Sequence, residues 1–270
     1  MTEKASDPGA ASVLGAAPAL PASHAEEAQK AHYNRIAAAF EAHYDDPSTR
    51  RYRERFVDQP LLEGLDLNGR DVLEGMCGGG LTTSALLARG ARVTGIDISD
   101  ACIASFRSRW PQCRAVCASI SSSGLPAESF DAVVVVGGIH HLQPDIDPAI
   151  EEIHRLLRPG GSFCFFEPHT GSLPDWFRQR WYQRDSMFSR NEAAIDMDGL
   201  KARHGARFEF ARELYCGNLG FLLVYNSMIF RIPLALKPLY TPALLRLEEW
   251  INRLQGRRLA CVVIGQWRKK

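Results

Sequence analysis

Short apolar segments and segments with a helical pattern alternate through the middle of the chain. Between residues 71 and 168, "DVLEG", "ARVTGIDIS", "CRAVCAS", "FDAVVVVGG" and "SFCFFEP" have the composition of β-strands. The intervening "LTTSALLARG", "DACIASFRSRW" and "DPAIEEIHRLLRPGG" have the pattern of helices, the second with Ser99 or Asp100 as its cap. Repeated strand–helix units predict an α/β fold in which a mostly parallel sheet carries helices on both faces.

Helical segments and two more strands flank this alternation. "KAHYNRIAAAFEAHYDD" repeats apolar residues at helical spacing, and "RYRERFVDQPLLEGL" continues as a second helix that stops near Gly64. After residue 168 a polar and aromatic segment precedes the predicted strand "RFEFAREL". A helical segment interrupted by prolines follows, and "RLACVVIGQWRKK" ends the chain as a strand.

Composition argues against several classes of protein. The 32 basic and 31 acidic residues give a net charge of +1, which does not support nucleic-acid binding. The seven cysteines form no disulfide framework, so we expect a reducing, cytoplasmic environment. Cys113 and Cys117 are four residues apart, but no second pair completes a zinc site, and no metal is expected.

The first 25 residues are rich in Ala, Pro and Ser. "ASHA" resembles a signal-peptide cleavage site, but Glu3 and Asp7 do not suit a signal peptide, and Pro18 and Pro21 interrupt its apolar part. We therefore expect residues 1–25 to be a disordered extension.

A Gly-rich turn, "EGMCGGG", follows the first predicted strand. In an open parallel sheet, ligands bind beyond the carboxyl ends of the strands, where this turn lies. Gly78 and Gly80 let a backbone approach a ligand closely. Asp97, which ends the next strand, can accept hydrogen bonds from both hydroxyls of a ribose. The glycine spacing fits neither the dinucleotide fingerprint nor the P-loop, so the turn predicts another nucleotide-type cofactor.

Four motifs, in order, resemble those of the class I S-adenosylmethionine-dependent methyltransferases. Glu74, Cys77, Gly78 and Gly80 match the family's first motif, roughly acid-x-G-C-G-x-G, and Asp97 in "GIDIS" matches its ribose-binding acid. "SFDAVVVVGGIHHL" resembles the fourth-strand motif, and "EIHRLLRPGGSFCFFEP" resembles the Pro-Gly-Gly turn into the fifth strand. "HYNRIAAAFEAHYD" resembles the helix that closes over the cofactor.

The resemblance implies a Rossmann-like, seven-stranded, mostly parallel sheet with an N-terminal helical cap and a helical insertion before the last strand. The implied methyltransferase domain spans residues 26–270, with the cap at 26–66 and a substrate-side cover and insertion at 170–255. Two departures stand out: Met76 replaces the family's first glycine, and no Asp follows the third strand. Ser119, Ser121 or a backbone group near Ile120 then has to bind the adenine.

The resemblance also implies S-adenosylmethionine as the cofactor, with no metal. The implied cofactor-binding residues are Tyr33, Tyr44, Glu74, Gly75, Met76, Cys77, Gly78, Gly80, Asp97, Ile98, Ser119, Ile120 and Gly137. Tyr33 and Tyr44 are alternatively the buried face of their helix. Cys77 is expected to pack in the loop rather than act as a nucleophile.

Four residues at the ends of the fourth and fifth strands are candidates for a general base: His140, His141, His169 and Glu167. The alternative for His141 is packing against the sheet, its commoner role in the family. It is also possible for the protein to use no base and only to position donor and acceptor, which can supply roughly 7–11 kcal/mol of the barrier.

Segment 214–245 carries only two charged residues, Arg231 and Lys237. Three interpretations are open: a lid over a hydrophobic acceptor, ordinary core or a dimer face, and contact with a membrane surface. "WFRQRWYQRDSMFSRNEAA" combines arginines with aromatic residues and suits a cover of the acceptor site. A single-stranded nucleic acid is disfavoured there by the interspersed acids Asp175, Asp185 and Glu192.

The sequence thus predicts a cytoplasmic O-methyltransferase, monomeric or homodimeric, that acts on a small or lipid-like molecule of secondary or lipid metabolism. N-methylation is the alternative within the class. Two hypotheses from other functional classes remain: a non-catalytic module that binds S-adenosylmethionine, and an NAD-binding oxidoreductase.

Overall fold

The computed structural model describes residues 24–182 and 193–270. The predicted disordered extension therefore lies outside the described residues, except for its last two positions. Residues 183–192 of the arginine-rich aromatic segment lie outside them as well.

Seven strands form one sheet. They are β1 (Asp71–Gly75), β2 (Arg92–Asp97), β3 (Arg114–Cys117), β4 (Phe130–Val136), β5 (Leu157–Pro168), β6 (Phe208–Cys216) and β7 (Val262–Lys269). Their spatial order is β3-β2-β1-β4-β5-β7-β6. The first five pair in parallel, and β7 is antiparallel to both β5 and β6. The predicted seven-stranded, mostly parallel sheet is confirmed.

Helices cover both faces of this sheet. They are α1 (His24–Tyr44), α2 (Pro47–Arg53), α3 (Gln59–Leu61), α4 (Thr83–Leu87), α5 (Asp100–Arg109), α6 (Asp147–Leu156), α7 (Leu173–Tyr182), α8 (Met197–His204) and α9 (Lys237–Leu254). Successive strand residues point to opposite faces. Val72 and Val134 therefore lie in one core cluster, and Leu73 and Val133 in the other.

The N-terminal helices lie across the carboxyl end of the sheet. The side-chain oxygen of Asn34 in α1 accepts a hydrogen bond of 2.6 Å from the hydroxyl of Ser99, the cap of α5. A π-helical turn (Glu54–Asp58) joins α2 to α3, and Gly64 follows with φ +76°. The second helical segment thus ends where the sequence predicts, but with an irregular middle.

The segment between β5 and β7 is more structured than the sequence predicts, because α7 forms in the stretch interpreted only as polar and aromatic and α8 forms directly after it. Its later part contains a π-helical turn (Phe221–Tyr225), a 3₁₀ turn (Leu234–Leu236) and α9. The fully buried Lys237 donates to Asp46 Oδ2 and Thr49 Oγ1, both at 2.6 Å. This contact fastens the insertion to the N-terminal helices. Within the described ranges, no helix has the length and apolar composition needed to cross a bilayer.

Candidate functional site

A cavity of about 700 Å³ opens at the carboxyl ends of β1, β2 and β4. From β1 the chain continues outward to β2 and β3 on one side, and it then returns to place β4 and β5 on the other side of β1. The strand order therefore reverses between β1 and β4. Loops at such a reversal diverge and leave room for a ligand. Residues of α1 and of the insertion after β5 close the cavity from above.

Glu74 fixes the start of the Gly-rich loop. Its Oε1 accepts from the backbone N–H of Thr82 at 3.0 Å, and its Oε2 accepts from the hydroxyl of Thr83. Burial raises the pKa of Glu74 to about 7. The carboxyl group therefore holds the loop to the beginning of α4.

Met76 adopts a backbone conformation that favours glycine. Its φ is +51°, in the left-handed region where a side chain costs roughly 1–2 kcal/mol. The side chain lies over Gly138 in the loop after β4, where a Cβ would come within 2.8 Å of Met76 Sδ and 2.9 Å of Val135 Cγ1. Met76 and Gly138 thus form a complementary pair across the strand-order reversal.

A double-mutant cycle tests that pairing. Gly138→Ala is expected to lower the free energy of unfolding by about 1–3 kcal/mol, because the new methyl overlaps Met76 and Val135. In a Met76→Gly background the loss should be smaller by at least about 0.5 kcal/mol, as measured by urea unfolding. Gly256→Ala, where a Cβ meets nothing within 4 Å, is the control in both backgrounds. Equal losses with and without Met76 would show that the two residues do not pack together.

Asp97 joins the Gly-rich loop to the end of β2. Its Oδ2 accepts from the backbone N–H of Gly78 at 2.9 Å, and its Oδ1 accepts from that of Ser99 at 2.8 Å. Burial raises the pKa of this carboxyl. Ile98 and Ile120 line the cavity beside it and provide apolar surface for a flat ring.

Sequence reasoning missed three side chains that shape this end of the cavity. Arg53 donates to Thr82 Oγ1 at 2.9 Å, and Glu41 extends from α1 over Gly79. Trp110 Nε1 lies 3.2 Å from the carbonyl oxygen of Gly79 and 3.1 Å from that of Gly80. All three come from other elements than the loop, so no local motif indicates them.

His140, whose side chain is 15% exposed, pairs with the fully buried Glu167 at the ends of β4 and β5. His140 Nδ1 lies 2.7 Å from Glu167 Oε2, and Glu167 Oε1 accepts the backbone N–H groups of Gly138 and Ile139 at 2.8 and 2.7 Å. When Glu167 is ionised it can only accept, so Nδ1 then carries the hydrogen and Nε2 is left with its lone pair. Burial lowers the pKa of His140, and the charge of Arg178 lowers it further, so the imidazole is neutral at pH 7.

The other predicted base candidates lie differently. His141 also lines the cavity, but its Nε2 is 2.8 Å from the hydroxyl of Tyr33, and its ring packs at a tilt against that of His140, with a centroid distance of 3.9 Å. His169 is buried outside the cavity lining, with its ring nitrogens 3.0 Å and 3.2 Å from the carbonyl oxygens of Thr170 and Ala260. This position argues against His169 as a base.

Most of the predicted cofactor residues come together. Those that line the cavity are Tyr33, Tyr44, Glu74, Gly75, Met76, Cys77, Gly78, Asp97, Ile98, Ser119, Ile120 and Gly137. Gly80 does not line it; a Cβ there would meet Trp110 Nε1 at 2.5 Å, so this glycine makes room for the indole. Burial raises the pKa of the Cys77 thiol well above its usual value, which does not suit a nucleophile.

The far half of the cavity is mainly apolar, and most of its lining comes from the insertion, with further residues from β5 and from the start of β7. Its apolar lining includes Phe166, Phe177, Phe221, Leu222, Tyr225, Met228, Ile229, Phe230, Leu259 and Val262. Segment 214–245 therefore contributes both core and cavity wall, in agreement with the lid interpretation. Among the described residues, no group of three or more His, Cys, Asp or Glu side chains is arranged to hold a metal ion.

Comparison with known proteins identifies the central part of the chain. Residues 73–165 match the family model of a methyltransferase domain. A probable S-adenosylmethionine-dependent methyltransferase of Mycolicibacterium smegmatis is 37% identical over 101 residues, 37% of this chain and 39% of that protein. The ubiquinone biosynthesis O-methyltransferase of Pseudomonas syringae pv. tomato is 34% identical over 109 residues, 38% of this chain and 46% of that protein.

The matches thus span between 39% and 57% of the first curated relatives. Among solved structures, an S-adenosylmethionine-dependent methyltransferase of Thermotoga maritima, a possible histamine N-methyltransferase, superimposes with a TM-score of 0.62 at 17% identity. The superposition covers 89% of this chain and 99% of that one. At this identity the likeness shows the fold.

Proposed function

Because this chain belongs to the class I S-adenosylmethionine-dependent methyltransferases, we propose that it methylates a hydroxyl group of a small-molecule or lipid-like acceptor. The observation that carries the proposal is that His140, which lines the cavity, is paired with the buried Glu167 behind it. A neutral imidazole held by a buried carboxylate is the arrangement of a general base.

The side chains present fit the proposed cofactor. Asp97 is available to accept hydrogen bonds from the ribose hydroxyls, and Arg53 can bind the carboxylate of the methionine part. Oε1 of Glu41 is buried in the cavity wall without a hydrogen-bond partner among the described residues. A buried, unpaired carboxylate oxygen is costly, and the cofactor's ammonium group would supply its partner.

When bound, S-adenosylmethionine supplies an electrophilic methyl group on a sulfonium. The chain's own residues prepare the acceptor. His140 Nε2 takes the proton of the acceptor hydroxyl, and Glu167, which accepts the Nδ1 hydrogen, stabilises the resulting imidazolium. Apolar side chains of the insertion, among them Phe221, Leu222 and Met228, line the cavity and can shield the reacting groups from water.

The choice of oxygen as the acceptor atom has two supports. A hydroxyl must lose its proton on methylation, and the neutral imidazole of His140 in the cavity wall can accept it. Several relatives, at 32–35% identity, are ubiquinone biosynthesis O-methyltransferases. The test is a transfer assay with labelled S-adenosylmethionine and a panel of phenols, hydroxy acids, amines and lipids. Mass spectrometry and NMR of the product identify the methylated atom; a product methylated only on nitrogen would contradict the proposal.

We expect the transfer rate to rise with pH through about 7. Burial raises the pKa of Glu167 to about 7. Below that value the carboxyl is protonated and no longer stabilises an imidazolium, so kcat falls as the pH falls; above it the carboxylate is fully present. In Glu167→Gln, kcat should be lower and the inflection should disappear. An unchanged pH profile in that variant would assign the titration to another group.

A further inference from the structure

We propose that the protein docks on an anionic lipid surface through the outward faces of α7 and α9, with the mouth of its cavity turned toward the lipid. This interaction surface goes beyond the proposed function, because it depends neither on the cofactor nor on the acceptor atom. The polarity of α9, the apolar rim of the cavity and an excess of basic residues support it.

Helix α9 places polar side chains inward and apolar side chains outward. Its buried residues include Lys237, Thr241 and Glu248, which are hydrogen-bonded within the protein. The exposed apolar residues of α9, between 37% and 80% exposed, are Leu239, Leu247, Trp250 and Leu254. Successive helical residues are about 100° apart, so these four form one stripe about 80° wide, opposite the buried polar residues. A helix that faces water has the reverse arrangement, and the stripe therefore suits an apolar partner.

A second group of exposed apolar residues lies at the mouth of the cavity. Leu173, Phe177 and Leu259 line the cavity and are nevertheless between 54% and 60% exposed. In α7, Trp176 is three residues and Phe177 four residues after Leu173, so the three side chains share one face. The backbone N–H of Leu173 donates to the carbonyl oxygen of Arg258 at 2.8 Å, so the beginning of α7 lies beside the segment that follows α9. The cavity thus opens next to the end of the α9 stripe.

Basic residues accompany this apolar surface. Segments 173–182 and 228–259 contain eight basic and three acidic residues, although the whole chain has 32 and 31. Some of these basic residues pair with acids, whereas Arg246 and Arg258 are exposed and outside those pairs. An apolar helix face that carries a tryptophan and is flanked by arginines has the composition of a helix that lies on an anionic bilayer.

An anionic bilayer suits this surface better than a second copy of the chain. A two-fold pair formed through α9 would place the same basic face against itself, and the like charges would repel. A bilayer of opposite charge attracts these arginines, and the exposed leucines and Trp250 then enter its interfacial region. In this orientation an apolar acceptor dissolved in the bilayer reaches the cavity without crossing water.

The test is co-sedimentation of the full chain with vesicles, without cofactor or acceptor. One set consists of phosphatidylcholine and the other of an equimolar mixture of phosphatidylcholine and phosphatidylglycerol. We expect binding to the mixed vesicles that weakens as salt is added. In the double variant Trp250→Gln/Leu254→Gln the partition constant should fall roughly 10- to 100-fold, because two apolar side chains no longer enter the interface. Trp250→Phe, which keeps an apolar ring, should retain most of the binding.

The charges are tested by Arg246→Gln/Arg258→Gln, which should lower binding to the mixed vesicles roughly 10- to 30-fold. Arg107→Gln/Arg114→Gln is the matched control. It makes the same charge change at exposed positions of α5 and β3, at the edge of the sheet opposite to β6, and should change binding little. All four arginines lie outside the cavity lining.

A wild-type protein that does not bind the mixed vesicles, or equal losses in the two double arginine variants, would overturn the proposal. So would a dimer in sedimentation velocity that dissociates in Trp250→Gln/Leu254→Gln, because the surface would then bind a second copy of the chain. Urea unfolding should give wild-type stability for every variant, since all the replaced side chains are exposed. The proposed function fails separately, if the protein binds no S-adenosylhomocysteine or transfers no methyl group.

Discussion

Replacing His140 by glutamine is expected to lower kcat by about two to four powers of ten, the usual contribution of a general base. The variant loses the nitrogen that takes the acceptor's proton, while Glu167 keeps its hydrogen bonds from Gly138 and Ile139. Affinity for S-adenosylhomocysteine should change little, because His140 lies at the acceptor side of the cavity. Steady-state methyl transfer and calorimetry measure the two quantities separately.

His154→Gln is the control for this substitution. His154 lies in α6 against Phe208, away from the cavity, and its replacement should leave kcat within about twofold. A His140→Gln variant with full activity would show that positioning alone accounts for the rate.

Replacing Asp97 by asparagine is expected to weaken cofactor binding roughly 100-fold. Two hydrogen bonds from ribose hydroxyls to a carboxylate contribute about 3 kcal/mol together, and an amide accepts only at one of its two atoms. The substitution also disturbs the contact with the Gly78 N–H, which holds the loop against β2. Calorimetry with S-adenosylhomocysteine measures the loss directly.

Asp100→Asn provides the comparison. Asp100 is three residues further along, 64% exposed, and paired with Lys30 at the surface. It makes the same chemical change outside the cavity lining, so affinity should stay within about twofold. If the two variants bound the cofactor equally well, Asp97 would not be the ribose-binding acid.

The sheet could be predicted because its strands are local and strongly patterned. "DVLEG" coincides with β1, and the cap predicted at Ser99 or Asp100 is Ser99, whose hydroxyl accepts from the N–H of Cys102 at 3.1 Å. A strand with a continuous apolar sequence is buried on both faces, which is typical of a parallel sheet covered by helices. In contrast, α7 is short and rich in polar residues, so its sequence pattern does not distinguish it from a loop.

The site was predictable only where a motif is contiguous. The Gly-rich loop and the paired histidines can be recognised in the sequence, but Arg53 contacts Thr82 from 29 residues away, and Trp110 contacts Gly79 from 31. The histidine that faces Glu167 is also set by the register between β4 and β5, in which Val136 pairs with Phe166. His169, two residues beyond Glu167, is buried outside the cavity lining. A position at the end of a strand therefore does not tell a histidine that lines the cavity, such as His140, from one buried outside its lining, such as His169.

Calorimetric titration of the wild-type protein with S-adenosylhomocysteine, and with NADH in parallel, tests the central claim most directly. Asp97, Arg53 and Glu41 predict saturable binding of one S-adenosylhomocysteine per chain and no binding of NADH. Binding of NADH would favour an oxidoreductase. Absence of binding by S-adenosylhomocysteine and S-adenosylmethionine alike would contradict the assignment of this cavity to methyl transfer.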